Sequence, residues 1–316
     1  MTGKLALVLG ATGGVGGHLA AGLKARGWAV RALARAPRED GAFDWVKGDV
    51  MVAADVARAA RGASVIVHAV NPPGYRRWAE LVLPMLDNTI AAARAEGARI
   101  LLPGTVYNFG PDAFSPPGTL IGEEAPQQPR SRKGAIRVEM ERRLAAAAGS
   151  GEAKVLILRA GDYFGPGASN NWFSQGLVKP GARLSSITQP GRPGVGHQWA
   201  YLPDVARIML DLLEQPGLPD FARFHMEGHW DADGTAMAGA IRRALGRELP
   251  MARFPWWAVG LARPAVPLFR ELWEMRYLWR EPVRLSNARL VALLGQEPRT
   301  PLDEAVGATL RSLGVS

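Results

Sequence analysis

The chain has 316 residues, no cysteine and a net charge of +9 from 38 basic and 29 acidic side chains. With 47% hydrophobic and 21% charged residues, it has the balance of one large globular domain or two ordinary ones, which excludes a disordered or fibrous protein. The missing thiols exclude disulfide staples, thiolate metal sites and cysteine nucleophiles. No block of five or six like charges accompanies the basic excess, so a small phosphate-bearing ligand is expected and a nucleic-acid partner is not.

Lys4 to Leu9 is a continuous apolar run, as in a strand buried on both faces. Glycines follow, then a helical pattern from Val15 to Arg26 and a second strand, Ala29 to Ala34. Asp55 to Arg61 reads as a short helix and Ser64 to Val70 as a strand. Next come a helix over Leu81–Glu96, a strand over Arg99–Leu102, a helix over Ile136–Ala148 and a strand over Val155–Arg159. Strands alternating with helices predict βαβ units and a parallel, doubly wound sheet of the Rossmann kind. Residues 165–196, rich in Gly, Pro, Ser and Asn, predict an irregular excursion. Asp204 is expected to cap an amphipathic helix, Val205 to Glu214, and the chain beyond 217 is expected to be mostly helical. The predicted organisation is an α/β dinucleotide-binding core over 1–160, completed by about 197–216. A smaller, mainly helical substrate-side lobe takes 161–196 and 217–316. The apolar stretch from Phe254 to Phe269 is interrupted by Arg263, Pro264 and Pro267, short of the about 20 apolar residues that span a bilayer. The start of the chain lacks the layout of a signal peptide. A cytoplasmic protein with no membrane partner is therefore expected.

Gly10, Gly13 and Gly16 follow the first strand and open the first helix. In that context the spacing predicts a tight turn, a close backbone approach to a pyrophosphate and a helix N-terminus facing it. The contacts are expected from Gly10, Thr12, Gly13, Gly14, Val15 and Gly16. No carboxylate ends the second strand; Arg35 stands there and predicts NADP over NAD, by meeting a 2′-phosphate. Asp49, followed by Val50, is placed to accept from an adenine amino group.

These motifs make the chain similar to the extended short-chain dehydrogenase/reductase superfamily, the group of NAD-dependent nucleotide-sugar epimerases and dehydratases. The likeness continues through His68-Ala69, Asn88-Thr89, Val106-Tyr107, Leu158-Arg159 with Gly165-Pro166, Tyr201 to Asp204, and Asn287 to Leu302. The resemblance implies a Rossmann fold, a nicotinamide cofactor near Ala69 and Arg137, and a small-molecule substrate. It admits a homodimer through two sheet-flanking helices. The group's acid/base pair is Tyr-x-x-x-Lys, and none of the five tyrosines here has Lys four residues on. Lys133 falls on the Tyr position and Arg137 on the Lys position. The usual Ser falls near Pro103, with Thr105 two residues later.

Three readings follow. Lys133 is the proton donor, its ammonium made acidic by desolvation and by Arg132 and Arg137, with Arg137 on the cofactor ribose. Alternatively Tyr107, Tyr163, His197 or water supplies the proton. Or the protein binds NADP(H) as a sensor without turnover. Substrate-side candidates are Asn71, Tyr163, Asn171, Trp172 and His197, and the aromatics among them suit a flat or weakly polar carbonyl, enone or quinone-like ligand. Glu139 and Glu141 are expected as surface partners for nearby arginines. The tryptophans at 256, 257, 273 and 279 are expected in core packing. The five histidines form no ligand set, so no metal is predicted.

Overall fold

The computed structural model describes residues 4–72, 78–114, 116 and 118–316. In chain order the elements are β1 (Leu5–Leu9), α1 (Gly14–Ala25), β2 (Ala29–Ala34), β3 (Asp44–Lys47), α2 (Ala53–Ala60), β4 (Val65–His68), α3 (Trp78–Glu96), β5 (Arg99–Thr105) and β6 (Leu120–Ile121). They continue with α4 (Arg132–Gly149), β7 (Lys154–Ala160), β8 (Asp162–Phe164), β9 (Ile187–Gln189), β10 (His197–Tyr201), α5 (Leu202–Leu213), β11 (Phe221–His225) and β12 (His229–Asp231). The last are α6 (Ala236–Leu245), β13 (Met251–Arg253), α7 (Trp256–Ala262), α8 (Pro267–Met275), β14 (Arg284–Leu285), α9 (Ala288–Leu294) and α10 (Leu302–Ser312).

Seven parallel strands form the central sheet in the order β11-β7-β5-β4-β1-β2-β3. β1, β4 and β7 are apolar along nearly their whole length because both faces are covered. Leu19, Leu23, Val205 and Met209 pack α1 and α5 on one face with Ala6 and Val8. Val56, Leu86 and Leu144 pack α2, α3 and α4 on the other with Leu7 and Leu9. Strand order reverses between β1 and β4, the place where such sheets open a crevice for a ligand.

Two expectations fail in the C-terminal half, and a third holds with an addition. Beyond 217 helices are the main regular structure, in α6 to α10, but short strands stand among them. β11 completes the central sheet by pairing with β7, Phe221 opposite Val155 and His225 opposite Arg159. The segment at 197–201 joins β8 and β12 in a separate three-stranded sheet instead. Asp204 does not cap α5. Tyr201 is the N-cap, and Asp204 lies buried in the first turn, where it accepts from Thr300 N (2.8 Å), Thr300 Oγ1 (2.8 Å) and Arg207. A carboxylate suits that position because the first-turn N–H groups and the helix dipole favour negative charge.

Glu141 is not a surface partner. It is buried on α4, with its Oε1 2.8 Å from Arg159 Nε and its Oε2 2.5 Å from Arg159 Nη2. Arg159 Nη1 continues to His225 Nε2 at 3.0 Å. The network ties α4, β7 and β11 together through fully buried charge. Glu139 does pair at the surface, with Arg142 and Arg143.

Candidate active site

The turn after β1 is shaped by what its glycines leave out. Gly10 has a φ of +96°, and a Cβ there would lie 2.6 Å from the Ala69 carbonyl oxygen. A Cβ at Gly16 would lie 2.2 Å from the Gly10 carbonyl oxygen. The α1 N-terminus therefore presses against β1 and β4 at the crevice, as a pyrophosphate cradle requires. Gly13 N donates to Gly10 O at 2.9 Å, and Thr12 and Gly13 are exposed toward solvent. Gly14 serves packing as well: a Cβ there would strike Ala168 and Leu202. Arg35 is exposed just past β2. Asp49 closes a local turn, its Oδ1 accepting from Met51 N and its own N–H donating to Asp55. Val50 is buried beside it, and its carbonyl accepts from Asn88.

A cavity of about 420 Å³ opens beyond the strand ends, between this crevice and the C-terminal segments. Val15, Ala69 and Asn71 line it at the dinucleotide end, and Thr105, Tyr107, Lys133, Arg137 and Tyr163 line its middle. Asn171 and Trp172 line the far side. Thr105 caps the turn after β5, accepting from Tyr107 N at 3.4 Å. Asn71 Oδ1 accepts from Trp78 Nε1 at 2.8 Å. The far wall is apolar: Phe254 and, from α8, Leu268, Phe269, Leu272 and Met275.

Lys133 and Arg137 lie one turn apart on α4, so both side chains leave the same helix face. Ser131 caps α4, accepting from Gly134 N at 3.0 Å. Gly134 lets the helix approach the β5 turn; a Cβ there would lie 2.2 Å from the Tyr107 carbonyl oxygen. Lys133 is 5% exposed, with Nζ 3.6 Å from Glu271 Oε2. Burial lowers its pKa, and Glu271, Glu274 and Asp162 oppose the shift. The direction matches the sequence expectation, and so does desolvation as its cause; the neighbouring arginines, the other cause expected, are not among the contributors. The Arg137 guanidinium lies 5.4 Å from the Trp78 ring centroid.

Two further groups take roles that only packing discloses. His68 lines the cavity and is 2% exposed. Its Nδ1 is 2.8 Å from Thr89 Oγ1, which donates its own hydrogen to Met85 O. The Thr hydroxyl must then accept, so Nδ1 carries the proton and the buried Nε2, which meets no partner, is an acceptor. Burial and the Arg137 charge hold His68 neutral, with a pKa lowered to about 3. Asp162 is the second group. It accepts from Tyr107 Oη at 2.7 Å, and its other oxygen is 2.9 Å from His197 Nε2. His197 Nδ1 faces the Leu278 carbonyl at 3.2 Å and its ring stacks on Trp279 at 3.7 Å. Acceptors on both sides mean that the His197–Asp162 pair holds a proton between Nε2 and Oδ2. His197 thus sits behind Asp162 and not among the lining residues, so the expectation of direct substrate contact is not met. Tyr163 does line the cavity, but its hydroxyl donates to the Gly104 carbonyl and burial pushes its pKa up. It therefore keeps its proton. Trp256 and Trp279 pack around Trp172 as expected, whereas Trp257 is 73% exposed. Among the described residues no group of three or more metal-ligating side chains converges.

The sequence profile of the NAD dependent epimerase/dehydratase family matches residues 6–220. The chain belongs to that family. Solved structures similar to this family member include MoeE5 in complex with UDP-glucuronic acid and NAD, with a TM-score of 0.76, 19% identity and 98% of each chain covered. Another is the UDP-glucose 4-epimerase of Thermus thermophilus in complex with NAD, at 0.74 and 21%, covering 98% of this chain and 99% of the other. A third is the UDP-glucuronic acid 4-epimerase of Bacillus cereus with UDP-glucuronic acid and NAD, at 0.74 and 14%, again covering 98% and 99%. At such identities the likeness establishes a shared Rossmann-type fold. No curated protein sequence matches the chain.

Proposed function

We propose that this family member is an enzyme that uses a nicotinamide dinucleotide and moves a hydride to or from a small, weakly polar carbonyl, enone or quinone-like compound. The observation that carries the reading is Lys133: a desolvated ammonium at the middle of the cavity, one turn from Arg137 and beside the glycine cradle. The bound nicotinamide supplies or accepts the hydride. The chain's residues do the rest. Gly10 and Gly16 leave room for the pyrophosphate, and Arg137 offers a planar donor fork to ribose hydroxyls. Lys133 Nζ gives a proton to the substrate oxygen on reduction, and Glu271 takes up the ammonium's charge at rest. Asp162 and His197 fix the Tyr107 hydroxyl at the cavity edge. The apolar wall from α8 excludes water.

The solved relatives favour a second reading. They are complexes of sugar-nucleotide epimerases and related proteins with NAD, which supports a redox-neutral epimerisation on a nucleotide sugar and NAD as cofactor. Against this, the cationic side chains lining the cavity are Lys133 and Arg137 at its middle, and beyond them the lining offers a diphosphate amides (Asn170, Asn171 and Gln175) but no cation.

The test is Lys133→Ala. Turnover of carbonyl or quinone acceptors should be abolished while NADH or NADPH affinity stays within a few-fold. Turnover that survives removes Lys133 as the acid. Conversion of UDP-hexoses without net change in cofactor absorbance would decide for the epimerase. In the wild type, reduction needs protonated Lys133, so the rate should fall as pH rises, with a midpoint below the ordinary lysine value of 10.5.

A further inference from the structure

The hairpin of α7 and α8 has two apolar faces. The inner one forms the far wall of the cavity. On the outer one, Trp257 and Leu261 are 73% and 76% exposed, the two highest among the large hydrophobic residues described, and lie four apart on one side of α7. Leu268 belongs to both faces: it lines the cavity and is 43% exposed. Leu268 thus brings exposed apolar surface of the hairpin to the cavity.

The charge around this surface has one sign. Arg263 ends α7, its guanidinium 4.7 Å from the Trp273 ring centroid. Arg270, on α8, reaches the Pro264 carbonyl at 3.4 Å. Both are exposed, and among the described residues neither is bridged to a carboxylate. The acidic residues between 251 and 275 are Glu271 and Glu274, and both are already paired, Glu271 with the buried Lys133 and Glu274 with Arg132. An exposed Trp and Leu beside unbridged arginines, on a helix of seven residues, is the chemistry of interfacial binding to anionic lipid.

We propose that the α7–α8 hairpin docks on an anionic bilayer surface. Trp257 and Leu261 enter the boundary between headgroups and acyl chains, Arg263 and Arg270 meet the lipid phosphates, and the cavity mouth at Leu268 opens toward the lipid. A second copy of the chain packed on the same face would double the arginine charge of the interface; lipid phosphates neutralise it. Surface docking needs no spanning segment. No helix among the described residues is long and apolar enough to cross a membrane, and the sequence expectation of no membrane partner rested on spanning and leader segments, which surface docking does not use. The docking stands apart from the redox reading. That the cavity then draws a lipid-soluble carbonyl compound from the bilayer rests on it.

The experiment is co-sedimentation with vesicles of phosphatidylcholine alone and of phosphatidylcholine with phosphatidylglycerol, at low and high salt. The wild type should bind the anionic vesicles and release with salt. W257S/L261S should lower the partition coefficient about tenfold or more, and R263Q/R270Q should remove the preference for phosphatidylglycerol. Every substituted side chain is exposed, so NADH titration and thermal unfolding of the variants should match the wild type and separate loss of docking from loss of fold or cofactor. A wild type that does not sediment with anionic vesicles, or variants that bind as well as it does, would overturn the proposal. So would a solution dimer that W257S/L261S dissociates, since the face would then belong to a second copy.

Discussion

At the scale of single residues, the cavity is defined by which atoms can give a proton and which can only accept one. Tyr163 is locked as a donor to Gly104, and His68 presents a bare Nε2. Lys133 is the cavity group whose charged form burial destabilises while Glu271, Glu274 and Asp162 oppose the shift, which suits a proton donor better than either neighbour. Cofactor choice also lies with one side chain. Arg35 follows the strand where a ribose-binding carboxylate is usual, while the solved relatives are bound to NAD. Arg35→Ala should weaken NADPH more than NADH in a fluorescence titration. Equal loss for both cofactors removes the 2′-phosphate role and leaves NAD as the cofactor.

At the scale of elements, α4 carries two unrelated duties along one face, in successive turns. Lys133 and Arg137 look into the cavity; one and two turns on, Glu141 and Leu144 look into the core. The first duty was legible because the Lys133 to Arg137 interval kept the family register. The second was not, because its partner Arg159 comes from β7, and a charged residue amid arginines reads as surface. Glu141→Ala should cost about 3–5 kcal/mol, since it strands a buried guanidinium, and urea unfolding should show it. Loss of under about 1 kcal/mol would mean that the pair is solvated. β11 escaped for a related reason. Phe221, Phe224 and His225 alternate with small and charged residues, and nothing local says that this short run pairs with a strand more than sixty residues earlier. β1, β4 and β7 announced themselves because burial on both faces leaves a continuous apolar run. The glycine turn was legible because its steric demands, seen at Gly10 and Gly16, exclude every other residue. His68 was named for its place after β4, but its tautomer depends on Thr89, which only packing reveals.

At the scale of the whole molecule, three of the five histidines are buried and held neutral. Burial is the largest cause for each, with pKa values lowered to about 3 for His68 and His225 and about 4 for His229. The unfolded chain binds protons at these positions below about pH 6.5, and the folded chain does not. Stability is therefore complete above that pH and lost as pH falls toward the folded values, by about 1.4 kcal/mol per pH unit for each histidine. The urea midpoint should drop between pH 6.5 and 5, before most carboxylates titrate, and His68→Gln should make the drop shallower. A flat profile down to pH 5 would contradict neutral burial.

The order of the strands also bears on how the chain must be handled as it is made. The family match ends at residue 220, and β11 begins at the next one. A fragment cut at that natural-looking limit would leave β7, apolar along both faces, as a bare rim of the sheet with its peptide groups unpaired. Such a rim is a template for edge-to-edge aggregation. During synthesis the same rim stays open until His225 has emerged, so the growing chain is most adhesive just before its sheet is finished.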